Sequence, residues 1–572
     1  MSGREDESAR AWLRAIRMTA QVDDDAARIF PLLIEDQAKL GDATALTGTR
    51  ENLSYAQLAA RVRRYANWAR AQGLGKGDCV AIMLEGCPDY LALWAGIARI
   101  GGVAALINTN LRGDALAHCL DLAAPRLIIV AEDLAAEVEN VAAGATVWRH
   151  DAGFERLIAL FSDAPPRPAP VTLEDPALLI YTSGTTGLPK AAPVSHRRVM
   201  LWTHWFAGMM GMTPDDRIYN CLPMYHSVGG VAAPGAALVA GASAICREKF
   251  SARAFWDDVS DSGATIFQYI GELCRYLLAG EGPRRPHRLR LACGNGLAGA
   301  VWAPFQQRFA IPRILEFYAA TEGNFSLYNM EGKPGAIGRV PAVLAPGFPV
   351  AIVKVDEATG LPLRTPDGYC VPVARGETGE AICKITQGAA RFEGYTDPQA
   401  TAKKILRNVF ARGDAWFRSG DLMRQDAEGF FYFVDRMGDT FRWKGENVAS
   451  AEVAAVLGSA PGVCAAVVYG VAVPGMEGRA GMAALEVAAG FDLAAFRSHA
   501  AARLPGYARP VFLRVTNALS MTGTFKHRKT DLARDGFDPA RTSDPLFADV
   551  DGGYGKLDEA LHGLIISGRV RL

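Results

Sequence analysis

Directly after the apolar run Ala177-Leu-Leu-Ile-Tyr181 comes Thr182-Ser-Gly-Thr-Thr-Gly-Leu-Pro-Lys190. Gly184 and Gly187 let successive backbone N–H groups turn inward as an anion nest. The hydroxyls of Thr182, Ser183, Thr185 and Thr186 add donors, and Lys190 adds a point charge. That set suits the phosphates of a nucleotide. It is not a Walker A loop, because Leu188-Pro189 separate Gly187 from Lys190 and no Ser or Thr follows the lysine. The competing reading is a plain surface loop.

A second glycine pattern, Gly294-Asn295-Gly296-Leu-Ala-Gly299, satisfies GxGxxG. It follows the strand-like Arg288-Leu-Arg-Leu-Ala-Cys293, and Glu316 lies 20 residues past Gly296. Taken alone this is a dinucleotide fingerprint, so an NAD(P)-dependent enzyme stays open as an alternative. Three further groups carry chemistry. They are His226 in Pro223-Met-Tyr-His226, the pair Thr321-Glu322 after Tyr318, and Lys526 beside His527, Arg528 and Lys529. Each has a plainer counterpart: a core histidine, a helix-start Thr-Glu and a solvated basic tail.

Such groups need rigid elements behind them. Residues 52–160 alternate helical and strand patterns, with a helix over 54–72 ending at Gly73 and short apolar runs at 79–84 and 126–132. The same rhythm returns over 199–320, with strands expected around 217–223, 264–270, 288–294 and 313–320. Strands alternating with helices argue for a layered α/β architecture. From about 335 the texture changes to runs such as 351–356, 379–385 and 429–436 joined by Gly, Asp and Pro turns, which reads as a small antiparallel β subdomain. After Arg436 a shorter α+β unit follows, with a helix over 451–460 and strands over 463–473 and 481–488.

The Thr182–Lys190 segment resembles the phosphate loop of the adenylate-forming enzymes, which include acyl-CoA synthetases, peptide-synthetase adenylation domains and luciferases. Further segments resemble that superfamily in order: Tyr318-Ala-Ala-Thr-Glu322, Gly376-Glu-Thr-Gly-Glu380, Phe417-Arg-Ser-Gly-Asp-Leu422, Asp435-Arg436 and Met521-Thr-Gly-Thr-Phe-Lys526. Asp435-Arg-Met-Gly-Asp-Thr-Phe-Arg-Trp-Lys-Gly-Glu-Asn-Val448, with residues 267–278 and 523–529, narrows the resemblance to the fatty acid transport protein / very-long-chain acyl-CoA synthetase branch. Two positions depart from the superfamily pattern: Ala319 and Ala191 stand where glycine is usual.

The resemblance implies a large N-terminal adenylation domain over 1–436, with its β subdomain from about 335. A small, mobile α+β C-terminal domain would fill 437–572, hinged near 437–439 at Gly438. It implies that carboxylate, ATP and CoA become acyl-CoA, AMP and pyrophosphate through an acyl-adenylate, with Mg²⁺ as the metal. Thr182, Ser183, Gly184, Thr185, Thr186, Gly187 and Lys190 would hold the β- and γ-phosphates. Thr321 would contact the α-phosphate, and Glu322 with Thr182 would hold Mg²⁺. Tyr318 would stack on adenine in a pocket lined by Gly294, Asn295 and Gly296, Asp421 would take the ribose, and Arg436 the ribose or the domain interface. His226 would sit where carboxylate and α-phosphate meet, and Lys526 would bridge the carboxylate, ribose and α-phosphate. The branch implies a long- or very-long-chain fatty acid, with a bile-acid or steroid side-chain carboxylate as the alternative. An idle uptake or scaffold protein is a third class.

Composition bounds the rest. At 572 residues the chain should hold about three or four structural units. Lys+Arg and Asp+Glu are equal at 61 each, so no global basic field argues for nucleic acid. The ten cysteines show no CxxC or zinc spacing and read as buried residues of a reducing compartment, which with the charged N-terminus points to the cytoplasm. Two apolar stretches, 90–107 and 227–246, are broken by charge, Gly or Pro and fit buried elements better than a membrane span. Residues 9–18 form a basic amphipathic stretch around Trp12, Leu13 and Ile16, which would either touch an anionic bilayer or pack on the protein's own surface. A homodimer is left open.

Overall fold

The computed structural model describes residues 2–142, 144–182, 189–283, 285–356, 359–386, 391–444, 446–476, 478–519, 529–550, 552–570 and 572. The chain forms two compact units. The first holds residues 1–349, 383–407 and 413–417, and the second holds 350–382, 408–412 and 418–572. The boundary expected after residue 436 falls inside the second unit. There the Asp435 carboxylate accepts the Ala451 N–H at 3.3 Å, joining residues on both sides of that boundary.

In the first unit, apolar runs become parallel strands buried on both faces. One sheet has the spatial order Thr146–His150, Leu127–Ala131, Cys79–Met83, Val103–Leu106, Pro176–Thr182, Lys190–Ser195, all parallel except the last. An eight-stranded sheet runs Ser326–Asn329, Ile314–Ala319, Leu291–Asn295, Ile266–Ile270, Arg217–Asn220, Ser243–Cys246, Thr44–Thr47, Asn52–Ser54, antiparallel only at its two edges. The expected helix spans Tyr55–Ala71, and a reciprocal capping box of Ser54 and Gln57 starts it. The stretch 90–107 supplies most of helix Pro88–Arg99 and strand Val103–Leu106, both in the core. The stretch 227–246 becomes a π-turn at Val228–Ala232, helix Ala233–Ala240 and strand Ser243–Cys246. Among the described residues no helix is long and apolar enough to cross a membrane.

Helix Ser2–Ala20 settles where the amphipathic N-terminal stretch goes. Trp12 is fully buried, edge-on to Trp205, Tyr328 and Phe348 with ring centroids 5.1–5.7 Å away. A Cβ on Gly208 would come within 2.5 Å of Ala15 Cα, so this helix lies against helix His196–Met210 almost backbone to backbone. Of the residues weighed as a bilayer contact, Trp12 is packed on the protein itself, whereas Leu13 beside it is 44% exposed.

In the second unit a sheet of order Val463–Val471, Ala480–Val487, Phe512–Thr516, Leu546–Val550, Gly553–Lys556 is covered by helices Ser450–Gly458 and Leu493–Arg503. Strand Ala415–Gln425 begins in the first unit, paired antiparallel with Ile405–Arg407. It ends in the second, paired antiparallel with Phe431–Arg436. The antiparallel texture expected from about 335 is present here.

The GxGxxG segment is held from beneath by a buried carboxyl. Glu316 is 2% exposed; its Oε2 accepts the Tyr269 hydroxyl and its Oε1 accepts the Leu297 N–H at 3.0 Å. Buried beneath the segment and bonded inside the protein through both oxygens, Glu316 is not presented to a ribose, and the dinucleotide alternative loses its defining ligand. Burial pushes this carboxyl up to about 8, against the hydrogen bonds from Tyr269, Leu297 and Gly296 that pull it down.

Two outcomes follow. Between the usual value near 4.5 and about 8, the unfolded chain has released the Glu316 proton while the folded chain retains it, so stability falls as pH rises. In Glu316→Gln this contribution is absent. In urea titrations at pH 5.5 and 8.5, wild type should lose on the order of a few kcal/mol relative to the variant, a tenfold change in a protonation equilibrium being about 1.4 kcal/mol. Trp12→Ala should cost about 3–5 kcal/mol in the same assay, as a large aromatic removed from a closed cage leaves a cavity.

Candidate active site

The residues singled out in the first unit lie at the carboxyl ends of parallel strands, where α/β sheets bind ligands. Thr182 ends Pro176–Thr182, Asn295 ends Leu291–Asn295, Tyr318 lies one residue from the end of Ile314–Ala319, and His226 follows Arg217–Asn220. Lys190 opens the next strand and pairs directly with Thr182, so both ends of the glycine-rich segment are clamped together. Ser183, Gly184, Thr185, Thr186 and Gly187 lie outside the described residues, as does Lys526.

Three of the candidates meet on one side chain that sequence reasoning missed. The Tyr395 hydroxyl donates to Glu322 Oε1 at 2.8 Å, and the Thr182 side chain stands beside the same hydroxyl and draws its pKa down. The Lys190 ammonium stands 5.6 Å from the centroid of the Tyr395 ring. Burial, with the Glu322 charge alongside, holds the Tyr395 phenol well above its ordinary pKa. Two residues earlier, Glu393 accepts the Ser195 N–H at 3.0 Å and the Ser195 hydroxyl at 2.6 Å, and stands 4.0 Å from the Arg198 guanidinium. Arg198 donates to the carbonyls of Thr321, at 3.3 Å, and Gly323, holding the loop that carries Glu322. Burial pushes this guanidinium's pKa down, opposed by the Glu393 and Glu322 charges. The only sequence signal was a Glu and a Tyr flanking Gly394 just before helix Pro398–Lys403, which matches no spacing rule.

On its other side the same loop meets the His226 segment. Ser227 Oγ lies 3.2 Å from Thr321 Oγ1. The His226 ring packs edge-on to Tyr225 at 4.5 Å, and its carbonyl accepts the Gly230 N–H at 2.8 Å as the π-turn begins. Only glycine fits at 230, where a Cβ would sit 1.8 Å from the Met224 carbonyl oxygen. Tyr318 stacks in a tilted pair with Phe325 at 5.5 Å, and Gly294 and Gly296 flank Asn295 above the Glu316 network.

In the second unit, strand pairing sets Asp421 opposite Arg436, with Arg436 Nε 3.8 Å from Asp421 Oδ1. Glu380, fully buried, grips Arg418 through contacts of 2.7–3.0 Å and accepts the Gly420 N–H at 3.2 Å. The Gly376–Glu380 and Phe417–Leu422 segments are therefore one structural device that fixes the chain just before Asp421. Gly438 takes φ +95°, a conformation glycine accepts readily, and a Cβ there would meet nothing within 4 Å. Beside it, Asp439 accepts the Lys529 ammonium at 3.0 Å, and the same ammonium donates to Ser450 Oγ at 2.7 Å.

The donors fit a hard cation and an anion. Thr182 and Glu322, both oxygen ligands, stand beside the same Tyr395 hydroxyl, and a Mg²⁺ that keeps several waters needs little more from protein. Among the described residues no group of three His, Cys, Asp or Glu side chains gathers as a metal centre.

Residues 34–396 match the family described as AMP-binding enzyme, and residues 452–526 match the AMP-binding enzyme C-terminal domain. The chain is 44% identical over 543 residues to long-chain fatty acid transport protein 1 of Mus musculus, covering 90% of this chain and 83% of that one. It is 38% identical over 597 residues to long-chain fatty acid transport protein 2 of Rattus norvegicus, covering 99% and 96%. Among solved structures, ATP-bound MatB from Rhodopseudomonas palustris superimposes with a TM-score of 0.74 at 25% identity, covering 88% of this chain and 98% of that one. The anthranilate CoA ligase AuaEII, in complex with anthranoyl-AMP, shares the fold with a TM-score of 0.77 at 20% identity, covering 89% and 98%. With the first match covering residues 34–396 and relatives aligned over nine-tenths or more of its length, the chain belongs to the AMP-binding enzyme family, in the acyl-CoA synthetase branch that includes the long-chain fatty acid transport proteins.

Proposed function

We propose that this protein is an ATP-dependent fatty acid–CoA ligase acting on long- or very-long-chain acids. One observation carries the reading: the loop Thr321-Glu322 touches Ser227, next to His226, on one side, and reaches Thr182 and Lys190 through Tyr395 on the other. Candidate groups for the carboxylate and for the phosphates, far apart in sequence, meet on one loop.

In the first half-reaction a carboxylate oxygen attacks the α-phosphorus, a new O–P bond forms, and pyrophosphate leaves with the electrons of the broken bond. Two anions must approach, so positive charge and N–H donors are needed around the reacting phosphate. Lys190 and the 182–187 segment hold the β- and γ-phosphates, and Thr321 contacts the α-phosphate. Thr182 and Glu322 would hold Mg²⁺, which neutralises phosphate charge when bound. His226 lies at the meeting point of the two reactants, Tyr318 faces adenine beside Gly294, Asn295 and Gly296, and Asp421, next to Arg436, accepts the ribose hydroxyls. Lys526 bridges carboxylate, ribose and α-phosphate. In the second half-reaction the CoA sulfur attacks the acyl carbon, the thioester forms and AMP departs. A small C-terminal domain from residue 437 turns between the two steps about Gly438.

The test is pyrophosphate and AMP release with ATP and Mg²⁺, over acids from acetate to C24 plus cholate, with and without CoA. Turnover requiring both CoA and a long-chain acid is expected. A preference for cholate would move the substrate to steroid carboxylates, pyrophosphate without thioester would point to another acceptor, and silence throughout would favour an uptake or scaffold role. Lys526→Ala should lower adenylate formation about 10²–10³-fold, the scale for removing one transition-state donor. Thioester formation from supplied acyl-adenylate should survive, and an equal fall in both would remove the role assigned to Lys526.

A further inference from the structure

We propose that Tyr395 is a positioning residue that presets the metal- and phosphate-binding side chains for nucleotide entry, a role that rests on the adenylate-forming reading above. Its hydroxyl bonds Glu322 Oε1 at 2.8 Å with the Thr182 side chain beside it, and its ring face lies under the Lys190 ammonium at 5.6 Å. One rigid side chain with two rotatable bonds thus sets three flexible ones. Without it, Glu322 and Lys190 are long side chains carrying opposite charges near one another, and they would pair directly or wander through rotamers. Either outcome must be reversed before a cation and a phosphate can be bound. A preset arrangement avoids that reorganisation.

Tyr395 is itself held. It is 8% exposed, its N–H donates to Thr401 Oγ1 at 2.8 Å, and Thr396 N–H donates to the Ala191 carbonyl at 3.0 Å. Ala191 follows Lys190, so the tyrosine and the lysine are tied by backbone as well as by ring contact. The ordering runs from helix Pro398–Lys403, through Tyr395, to the three side chains.

The hydroxyl and the ring serve different partners, and substitution separates them. Tyr395→Phe keeps the ring under Lys190 and removes the bond to Glu322. Tyr395→Leu removes both. We would measure binding by calorimetry on the full-length protein with three probes: ATP with Mg²⁺, ATP with EDTA, and AMP. Tyr395→Phe should weaken MgATP binding about tenfold, the scale of one lost charge-assisted hydrogen bond, with metal-free ATP and AMP within about twofold of wild type. Tyr395→Leu should weaken metal-free ATP as well and still spare AMP. In a double-mutant cycle on MgATP, Tyr395→Phe should add little to Glu322→Gln, because the two remove one contact.

Unchanged MgATP binding by Tyr395→Phe, a parallel fall for AMP, or full additivity with Glu322→Gln would each overturn the assignment. A parallel fall for AMP would mark Tyr395 as a packing residue, and a melting temperature lowered together with all three affinities would say the same. If wild type bound neither MgATP nor AMP, the adenylate-forming reading would fall and this one with it. If wild type bound both and Tyr395→Phe matched it, only the Tyr395 role would fall.

Discussion

A buried ion pair at the start of helix His196–Met210 holds the candidate residues of the first unit together. Arg198 and Glu393 keep only 8% and 15% of their side chains exposed, and Ser195 completes the carboxylate's partners. Taking both charges out of water is costly, and the cost is recovered only when the remaining donors and acceptors are satisfied. Here they are satisfied by the carbonyls of Thr321 and Gly323 and by the helix N-cap. Removing either partner would strand the other, so the strand 190–195, the loop 320–323 and the segment 391–396 are obliged to stay in register.

The surrounding sheets supply the other constraint. Parallel strands end where chemistry is wanted, and close packing leaves the backbone there little choice of path. The Gly230 approach to Met224 and the Glu316 carboxyl beneath Gly294-Asn295-Gly296 belong to this layer. Neither touches a reacting atom in the scheme proposed above. Both decide where the residues that do can stand.

Much of this was legible in the sequence. The strands at 79–83, 127–131, 217–220, 266–270, 291–295 and 314–319 announced themselves as apolar runs, because strands of a covered parallel sheet are buried on both faces. Thr182 and Lys190 stand out because hydroxyls, glycines and a single charge after a buried strand have few structural uses, whereas Thr321 and Glu322 stand out only through the resemblance of Tyr318–Glu322 to a superfamily segment. Arg198, Glu393, Tyr395 and Ser227 did not stand out. Their importance comes from hydrogen-bond partners 73–198 positions away, such as Tyr395 with Glu322, Ser227 with Thr321 and Ser195 with Glu393, and no local pattern encodes such a pairing. Glu380 and Arg418 were read as parts of two separate motifs, when each is the other's partner. Glu316 was misread for a related reason: its spacing from Gly296 suited a ribose, but spacing cannot show that both oxygens are already taken.

The bond from Lys529 to Asp439 and Ser450 has a mechanical consequence. It moors the polypeptide three residues beyond Lys526 to the position beside Gly438. The first turn of helix Lys529–Asp535 is thereby pinned to the residue that follows Gly438. A rotation at 438 that carried Asp439 would pull the start of that helix along with it.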